Sequence, residues 1–448
     1  MFTIEDLGNF KTKISYVEDS IIKGFIIIES VYEVINIVDV LVLPLYRNNG
    51  IATKLFNYLI DNYSSKCEKF MLEVRASNAV AIRLYENFGF KCIHVRKKYY
   101  GDEDALIMER CNMKDVYIMA FESSCDETSV SIVKNGKVDV ATTINTQIDV
   151  HRNYGGVVPE VASRLHLENI TMVIDETLNK ANMKLEDIDA FACTYGPGLL
   201  GSLLVGLESA KTLSMIYKKP FIKVNHMMGH ILANNIDNDL EYPLISLVIS
   251  GGHTDLIYME DEYSFKYLGQ TLDDAVGECY DKVARILDIP YPGGPNVEKL
   301  AREGKPTYLM PKVMNDDTCN FSFSGLKSHV NNVAHNEKQR GHEINKEDFA
   351  KSFQDAVIEQ LVSKTKKALM QNDVKMLTIS GGVASNMAIR ESVKQIASEL
   401  GVRVVVPERK YCTDNATMIG AAAYVMYKRG IFAGLDTNAK SNEKLNIE

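Results

Sequence analysis

The sequence predicts an α/β protein in two parts, the second of them internally duplicated. Three observations carry this. A polar break, ERCNMKDV at 109–116, separates the strand-like ALIM from the strand-like VYIMAF. Beyond it one plan is written twice: VYIMAFESSCDETSVSIVKNG (116–136) and ISLVISGGHTDLIYM (245–259) are each an apolar strand, a small polar turn and a second strand. Each is followed by a strand, a glycine turn and a helix, in FACTYGPGLLGSLLVGLESAKTL (191–213) and LTISGGVASNMAIRESVKQIA (377–397). Two halves whose turns aim at one cleft make a nucleotide-clasping architecture. The domains are placed at 1–112 and 113–448, with Met113 at the junction like an old initiator.

In the first domain, VLVLPLYRNNGIATKLFNYLI (40–60) runs from a strand through RNNGIA into a helix whose apolar side is Ile51, Leu55, Phe56, Leu59 and Ile60. Free amides at such a helix start, with Gly50 permitting close approach, suit a pyrophosphate. LEVRASNAVAIRLYENFGF (72–90) follows as a strand, a helix capped near Asn78 and a stop at Gly89. By residue type alone, Glu73 is a solvated strand acid or a base, and Tyr85 is core packing or an acid. In the second domain, Val383, Met387, Val393 and Ile396 keep helical spacing.

Composition narrows the class. At 448 residues, with 46% hydrophobic and 24% charged residues, the chain has the balance of a globular protein large enough for several cores. The start, MFTIEDLGNF, lacks a secretory pattern. The apolar run VINIVDVLVLPLY is broken by Asp39 and Pro44, well short of the ~20 residues of a membrane helix. A cytoplasmic protein without a membrane partner is expected. Eight cysteines without a CxxC read as reduced thiols. A net charge of -9 argues against nonspecific coating of nucleic acid, so any RNA affinity needs a local patch or a partner.

VNHMMGH (224–230) puts His226 and His230 four residues apart, on one face of a helix, where they could ligate one metal or simply be surface or core. A zinc protease carries its general base beside the first histidine, where this chain has Met227. A third ligand could be Asp414 in YCTDNATMIG, which serves equally as an N-cap for the following helix. The turns SGGHT (250–254) and SGGVASN (380–386) each follow an apolar strand, the context in which backbone amides cradle phosphate. Asp281 in GECYDKVARIL and the PGGP turn at 292–295 could meet a ribose and base, or be a solvated acid and a tight turn.

LEVRASN followed by RKKYY and DALIM makes residues 10–110 resemble the GNAT acetyltransferases, specifically the ribosomal-protein-alanine N-acetyltransferases. The resemblance implies a GNAT fold, a mixed sheet with helices, truncated at its start because the family's first strand and first helix are missing before Met1. It implies acetyl-CoA held by the backbone of Val40, Leu41 and Val42, by Asn48, Asn49, Gly50, Ile51, Ala52 and Thr53, and by Asn78. Glu73 becomes the general base, through water, and Tyr85 the general acid for the departing thiolate. The acceptor is then a ribosomal protein N-terminus; the alternative is a noncatalytic acetyl-CoA-binding or assembly module.

In the second domain, FESSCDET, YGGVVPEVASRLH, YGPGLLGSLLVG, VNHMMGH, VISGGHT, GECYDKVARIL, YPGGP, FSFSGLK, SGGVASN and CTDNATM occur in that order. Together they resemble the universal tRNA threonylcarbamoyladenosine transferase family, which has a duplicated actin/Hsp70-like (ASKHA) fold. This implies transfer of threonylcarbamoyl from threonylcarbamoyl-AMP to the adenosine next to the anticodon of ANN-decoding tRNAs. His226, His230 and Asp414 would bind one divalent iron or zinc. Val248, Ile249, Ser250, Gly251, Gly252, Asp281, Gly294 and Asn386 would surround the adenylate, with Asp126, Glu127 and His253 near the reacting end. The family's bacterial members work on tRNA with an inactive paralogue subunit and a small P-loop ATPase. A metalloprotease is the remaining alternative.

Overall fold

Four antiparallel strands open the chain in the computed structural model, which describes residues 1–445 other than 102, 113, 114, 237, 313, 315 and 342. They are β1 (Phe2–Gly8), β2 (Lys11–Glu18), β3 (Ile21–Val31) and β4 (Val34–Val42). In β3, Ile26 and Ile28 are buried while Phe25 and Ile27 are only half-buried, the period of two that lets one face of a sheet carry a core. β1 turns into β2 through Asn9 and Phe10, both with positive φ, and among the described residues no helix precedes Pro44. Helix α1 (Ile51–Tyr63) buries Ile51, Leu55, Phe56 and Leu59; Ile60 is half-buried at the edge of that stripe. Strand β5 (Lys69–Arg75), helix α2 (Ala79–Asn87), β6 (Lys91–Arg96) and β7 (Ala105–Cys111) complete a seven-stranded sheet ordered β1-β2-β3-β4-β5-β7-β6. Only β4 and β5 pair in parallel.

The chain divides into Met1–Asp115 and Val116–Glu448. Met113, the junction residue of the sequence, lies outside the described residues. The second unit begins with β8 (Tyr117–Glu122), β9 (Glu127–Lys134) and β10 (Val138–Thr146), then α3 (Ile148–Arg152), α4 (Pro159–Ala181), β11 (Ala190–Gly196), α5 (Leu200–Tyr217), β12 (Phe221–Asn225) and α6 (His226–Leu232). It continues with β13 (Leu244–Ile249), β14 (Thr254–Met259), β15 (Lys266–Gln270), α7 (Val276–Ile286), α8 (Gly293–Ala301), α9 (Ser324–Gln339), α10 (Lys346–Gln371), β16 (Met376–Ser380), α11 (Met387–Glu399), β17 (Arg403–Val405) and α12 (Ala416–Lys428).

The duplication is complete at the level of the sheets. The first is ordered β10-β9-β8-β11-β12 and the second β15-β14-β13-β16-β17, strand for strand the same arrangement. In both, the first two strands form an antiparallel hairpin and the last two run parallel to the first. Helices α4 and α5 cover one face of the first sheet, where Ile170, Val173 and Leu207 meet Phe121 and Phe191. The second sheet packs against α7 to α11 through Tyr280, Phe353, Leu361 and Ile389. Helix α12 comes last in the chain yet rests on the first sheet, so it closes the unit on itself; with α6 it fills the core shared by both halves.

Helix α11 starts later than the periodicity suggests. Val383 belongs to a short 3-10 turn, because Asn386 caps the helix: its Oδ1 accepts the Ile389 N–H at 3.2 Å. Among the described residues, no helix is long and apolar enough to cross a membrane.

Candidate functional site

The histidine pair sits where β12 runs straight into α6. Asn225 caps that helix, accepting from the N–H groups of Met227 (2.9 Å) and Met228 (3.4 Å), and all seven helical residues are buried. Met227 and Met228, in the place of a protease acid, are core residues. His226 and His230 share one face, with ring centroids 4.6 Å apart. Asp414 arrives from the loop before α12. The cap of α12 is its neighbour Asn415, whose Oδ1 accepts the Met418 N–H at 3.0 Å. The carboxylate of Asp414 is thus left to face the imidazoles, 3.2 Å from His230 Nε2 and 3.6 Å from His226 Nε2.

These three residues fit a metal. One ligand atom from each lies within 4.8 Å of the others. Both ring nitrogens of His230 are buried and neither makes a well-directed hydrogen bond; a cation at Nε2, the nitrogen that faces Asp414, would relieve that one. His226 Nδ1 lies 3.2 Å from Glu122 Oε2, so a proton there leaves the Nε2 lone pair toward Asp414 and His230. Glu122 is fully buried and also accepts the Ser124 N–H and the Thr194 hydroxyl. Burial pushes its carboxyl up, but His226, with help from Ser124, brings it net below the usual range. Burial likewise opposes charge on His226, yet Asp414 and Glu122 raise it to about 9. The negative pair that draws a proton onto His226 would draw a divalent cation in its place. Glu122 is absent from the sequence-based site. Its one signal is an acid closing the apolar run VYIMAFE.

Beside this cluster a cavity of about 270 Å³ opens between the two halves. Asp126 and Glu127 line it from the first half; Ser250, Gly251, Asp281, Gly294 and Asn386 line it from the second, and Asp414 is at its rim with the metal cluster. Val248 and Ile249 are fully buried in β13 between β14 and β16, so only their continuation as Ser250 and Gly251 reaches the cleft. Gly252 is exposed. The turn closes on itself: Ser250 N–H donates to His253 O (2.9 Å) and His253 N–H to Ser250 Oγ (3.1 Å). Helix α7 abuts it so closely that a Cβ at Gly277 would stand 2.6 Å from Ser250 O, a contact only glycine permits. Asp281 Oδ1 accepts the Gly293 N–H at 2.8 Å, which ties the two parts of the wall together; burial nevertheless leaves its carboxyl raised. Asn386 spends its other end on Gln354 Oε1 (3.0 Å), so its carboxamide braces the wall. Tyr280, also unforeseen, has a buried hydroxyl with no partner in this wall. Burial, reinforced by His226 and His230, pushes His253 down to about 4. Burial and the adjacent Asp126 push Glu127 well up.

In the first unit, β4 and β5 pair only from Val34–Ile37 to Lys69–Leu72. Past that point Val40, Leu41 and Val42 pair with β3 alone, which leaves the other edge open to a ligand, with the Val42 carbonyl accepting from Arg47 Nε (3.3 Å). Asn48 and Gly50 take positive φ, and α1 begins at Gly50 without a side-chain cap. The amides of Ile51, Ala52 and Thr53 are therefore uncommitted, an anion-binding helix start next to that open edge; Asn49 bonds back to Tyr46 O. Asn78 caps α2 by accepting the Ala81 N–H at 3.2 Å. Tyr85 is buried against Phe56 and Phe90, and burial raises its hydroxyl above the usual range. Glu73 lies on the exposed face of β5, held by Arg96 at 2.5 Å.

Residues 140–421 match the tRNA N6-adenosine threonylcarbamoyltransferase family. The chain belongs to that family. Over 336 residues it is 51% identical to the threonylcarbamoyltransferase of Staphylococcus carnosus (strain TM300), across 75% of this chain and 97% of the relative. With the Staphylococcus haemolyticus enzyme the identity is 50% over 330 residues, 73% of this chain and 96% of the relative. Residues 7–90 match the acetyltransferase (GNAT) family. Among solved structures, the Escherichia coli ribosomal-protein-S18-alanine N-acetyltransferase is 31% identical over 24% of this chain and 72% of its own, with a TM-score of 0.23. Component A of the Acidaminococcus fermentans (R)-2-hydroxyglutaryl-CoA dehydratase is 17% identical over 70% of this chain and 98% of its own, with a TM-score of 0.42. A segment that matches the GNAT family thus precedes a threonylcarbamoyltransferase domain built on two equivalent sheets, and the chain is a transferase.

Proposed function

We propose that the second unit transfers threonylcarbamoyl from threonylcarbamoyl-AMP to the N6 amine of the adenosine next to the anticodon in ANN-decoding tRNAs. The observation that carries this is the His226–His230–Asp414 cluster at the rim of a cleft walled by Asp126 and Glu127 of the first half and by glycine turns of the second. The three residues would hold one divalent iron or zinc, which when bound supplies a Lewis acid for the acyl oxygen. The amides of Gly251 and Gly252 hold the phosphate, and Asp281 with Gly294 faces the ribose. The amine attacks the carbamoyl carbon, a C–N bond forms, the C–O bond to phosphate breaks, and AMP leaves. His253, kept neutral by burial and the nearby imidazoles, is able to take the N6 proton. Glu127, kept protonated beside Asp126, donates a hydrogen bond to the developing negative charge.

An inactive paralogue and a small P-loop ATPase are the partners we assign. The groove between α4 and α5, with Leu167 and Leu204 exposed, suits an apolar helix of such a subunit. A cytoplasmic setting follows from this chemistry. The test is the chain with these subunits, threonylcarbamoyl-AMP and unmodified tRNA: absence of the modified nucleoside by mass spectrometry refutes the reading.

For the first unit we infer an N-acetyltransferase acting on a ribosomal protein that starts with alanine. Acetyl-CoA lies along Val40–Val42 and on the α1 start, Glu73 is base through water, and Tyr85, held protonated by burial, is acid. The Arg96–Glu73 pair favours a second reading, a module that binds acetyl-CoA without turnover, because the guanidinium occupies a carboxylate oxygen that the relaying water would need. Acetylation of an alanine-initiated ribosomal peptide would eliminate the module reading; binding of acetyl-CoA without product would establish it.

A further inference from the structure

Behind the cleft carboxylates lies a buried polar group that the proposed chemistry does not use. Gln147, His151 and His166, all in the first half, are at most 2% exposed. Their hydrogen bonds form one connected set. The Thr128 hydroxyl donates to His166 Nδ1 (2.7 Å), and His166 Nε2–H donates to Cys125 O (3.0 Å). The Val158 N–H donates to His151 Nδ1 (3.3 Å), and His151 Nε2–H donates to Gln147 Oε1 (3.1 Å). Gln147 Nε2 donates to Ala162 O (3.3 Å) and to His166 Nδ1 (3.4 Å), which joins the two imidazoles, and the Gln147 backbone N–H donates to Asp126 O (3.0 Å). Each imidazole is thereby assigned a neutral tautomer with one donor and one acceptor. Burial, which lowers His166, agrees with that assignment.

This set grips both ends of a functional stretch. Cys125 O and Asp126 O are its acceptors, so it brackets the turn that carries Asp126 and Glu127 into the cleft. On its other side, His151 O accepts the Tyr154 N–H (3.0 Å) and the Gly156 N–H (3.3 Å), which folds residues 153–156 onto this histidine. That loop is met from the opposite half: Arg285 of α7 donates from Nη2 to Gly155 O at 2.6 Å and lies against Gly156. Four residues before Arg285, on the same face of α7, Asp281 lines the cleft.

We propose that Gln147, His151 and His166 are positioning residues for the transfer site and that Arg285 is their counterpart on the second half: the three fix the Asp126–Glu127 turn and present Gly155 to Arg285, so that closing the cleft on the adenylate and setting its carboxylates are one event. This rests on the threonylcarbamoyl transfer reading. A buried network with every member satisfied is rigid, whereas one exposed guanidinium contact can open and close.

The experiment uses the full chain with its partner subunits, and AMP alone as a probe that needs no transfer. Arg285 is exposed, so Arg285→Met leaves the core intact. It should raise KM for threonylcarbamoyl-AMP about tenfold with kcat within about twofold. AMP should shield the exposed Arg152 from trypsin in the unsubstituted protein and fail to do so in R285M. His166→Ala should lower kcat about 100-fold, and His166→Gln, whose amide N–H can reach Cys125 O, should recover most of that loss. An unchanged KM together with unchanged AMP shielding in R285M overturns the counterpart role. Equal kcat in H166A and H166Q overturns the positioning role. If the unsubstituted chain transfers nothing, yet AMP shields Arg152 only while Arg285 is present, the transfer reading fails and the closure proposal stands.

Discussion

At the scale of single residues, the metal cluster separates what spacing reveals from what burial reveals. His226 and His230 are legible because i and i+4 share a helix face whatever surrounds them. Asp414 is ambiguous in sequence because Asp and Asn stand side by side before α12 and either can cap; the structure gives the cap to Asn415. Removing Asp414 leaves two histidines, too few protein ligands for a retained ion, so Asp414→Ala should purify without metal by elemental analysis. Glu122 was not legible, since an acid at a strand end ordinarily meets water. Here it fixes the His226 tautomer, and Glu122→Gln should weaken metal affinity by about 10- to 100-fold in a chelator competition while the fold survives. Asp255 is a second buried acid, pushed up to about 7 by burial that Lys444 only partly offsets. Its unfolded counterpart titrates near ~3.9, so between those values the folded chain holds the extra proton and stability falls as pH rises. Asp255→Asn should lose that slope. Its advantage over the parent in urea unfolding should therefore grow from about pH 4.5 to about pH 7.5, reaching at most about 4 kcal/mol at roughly 1.4 kcal/mol per unit.

At the scale of elements, the duplicated hairpins and the glycine turns were readable because an apolar run of strand length bounded by small residues fits little besides a buried strand between turns. The outer strands were not. β17 has only 3 residues, and β15 is a largely half-buried edge strand. An edge strand needs pairing on one side alone and so imposes little pattern on its sequence. Nor could periodicity say that α12, written after the second half, would return to the first. What allows the return is Gly420, where a Cβ would stand 2.5 Å from Val133 Cγ2 and 2.8 Å from Val133 Cβ. Gly420→Ala should overpack this contact by about 1–3 kcal/mol and lift the helix whose first turn follows Asp414. A lower Tm and a lower metal content together would bear this out. A lower Tm with full metal content would show that the Asp414 loop is held independently of α12.

At the scale of the whole chain, the two activities are written into separate units. The division at Asp115 and Val116 leaves a seven-stranded sheet with its own core on one side and both five-stranded sheets on the other. The Staphylococcus carnosus relative is matched over 97% of its length by 75% of this chain, so a complete threonylcarbamoyltransferase has no counterpart to most of the first unit. Every ligand and cleft residue assigned to transfer lies after Val116. Residues 116–448 expressed alone should therefore fold, retain metal and form the modified nucleoside at a rate within about twofold of the full chain. Residues 1–115 alone should bind acetyl-CoA, measured by calorimetry, because Val40–Val42 and the α1 start are both inside that unit. Loss of tRNA modification in the shorter chain, with its metal and unfolding transition intact, would mean that the acetyltransferase unit supplies something the transfer reaction needs, such as a surface for tRNA.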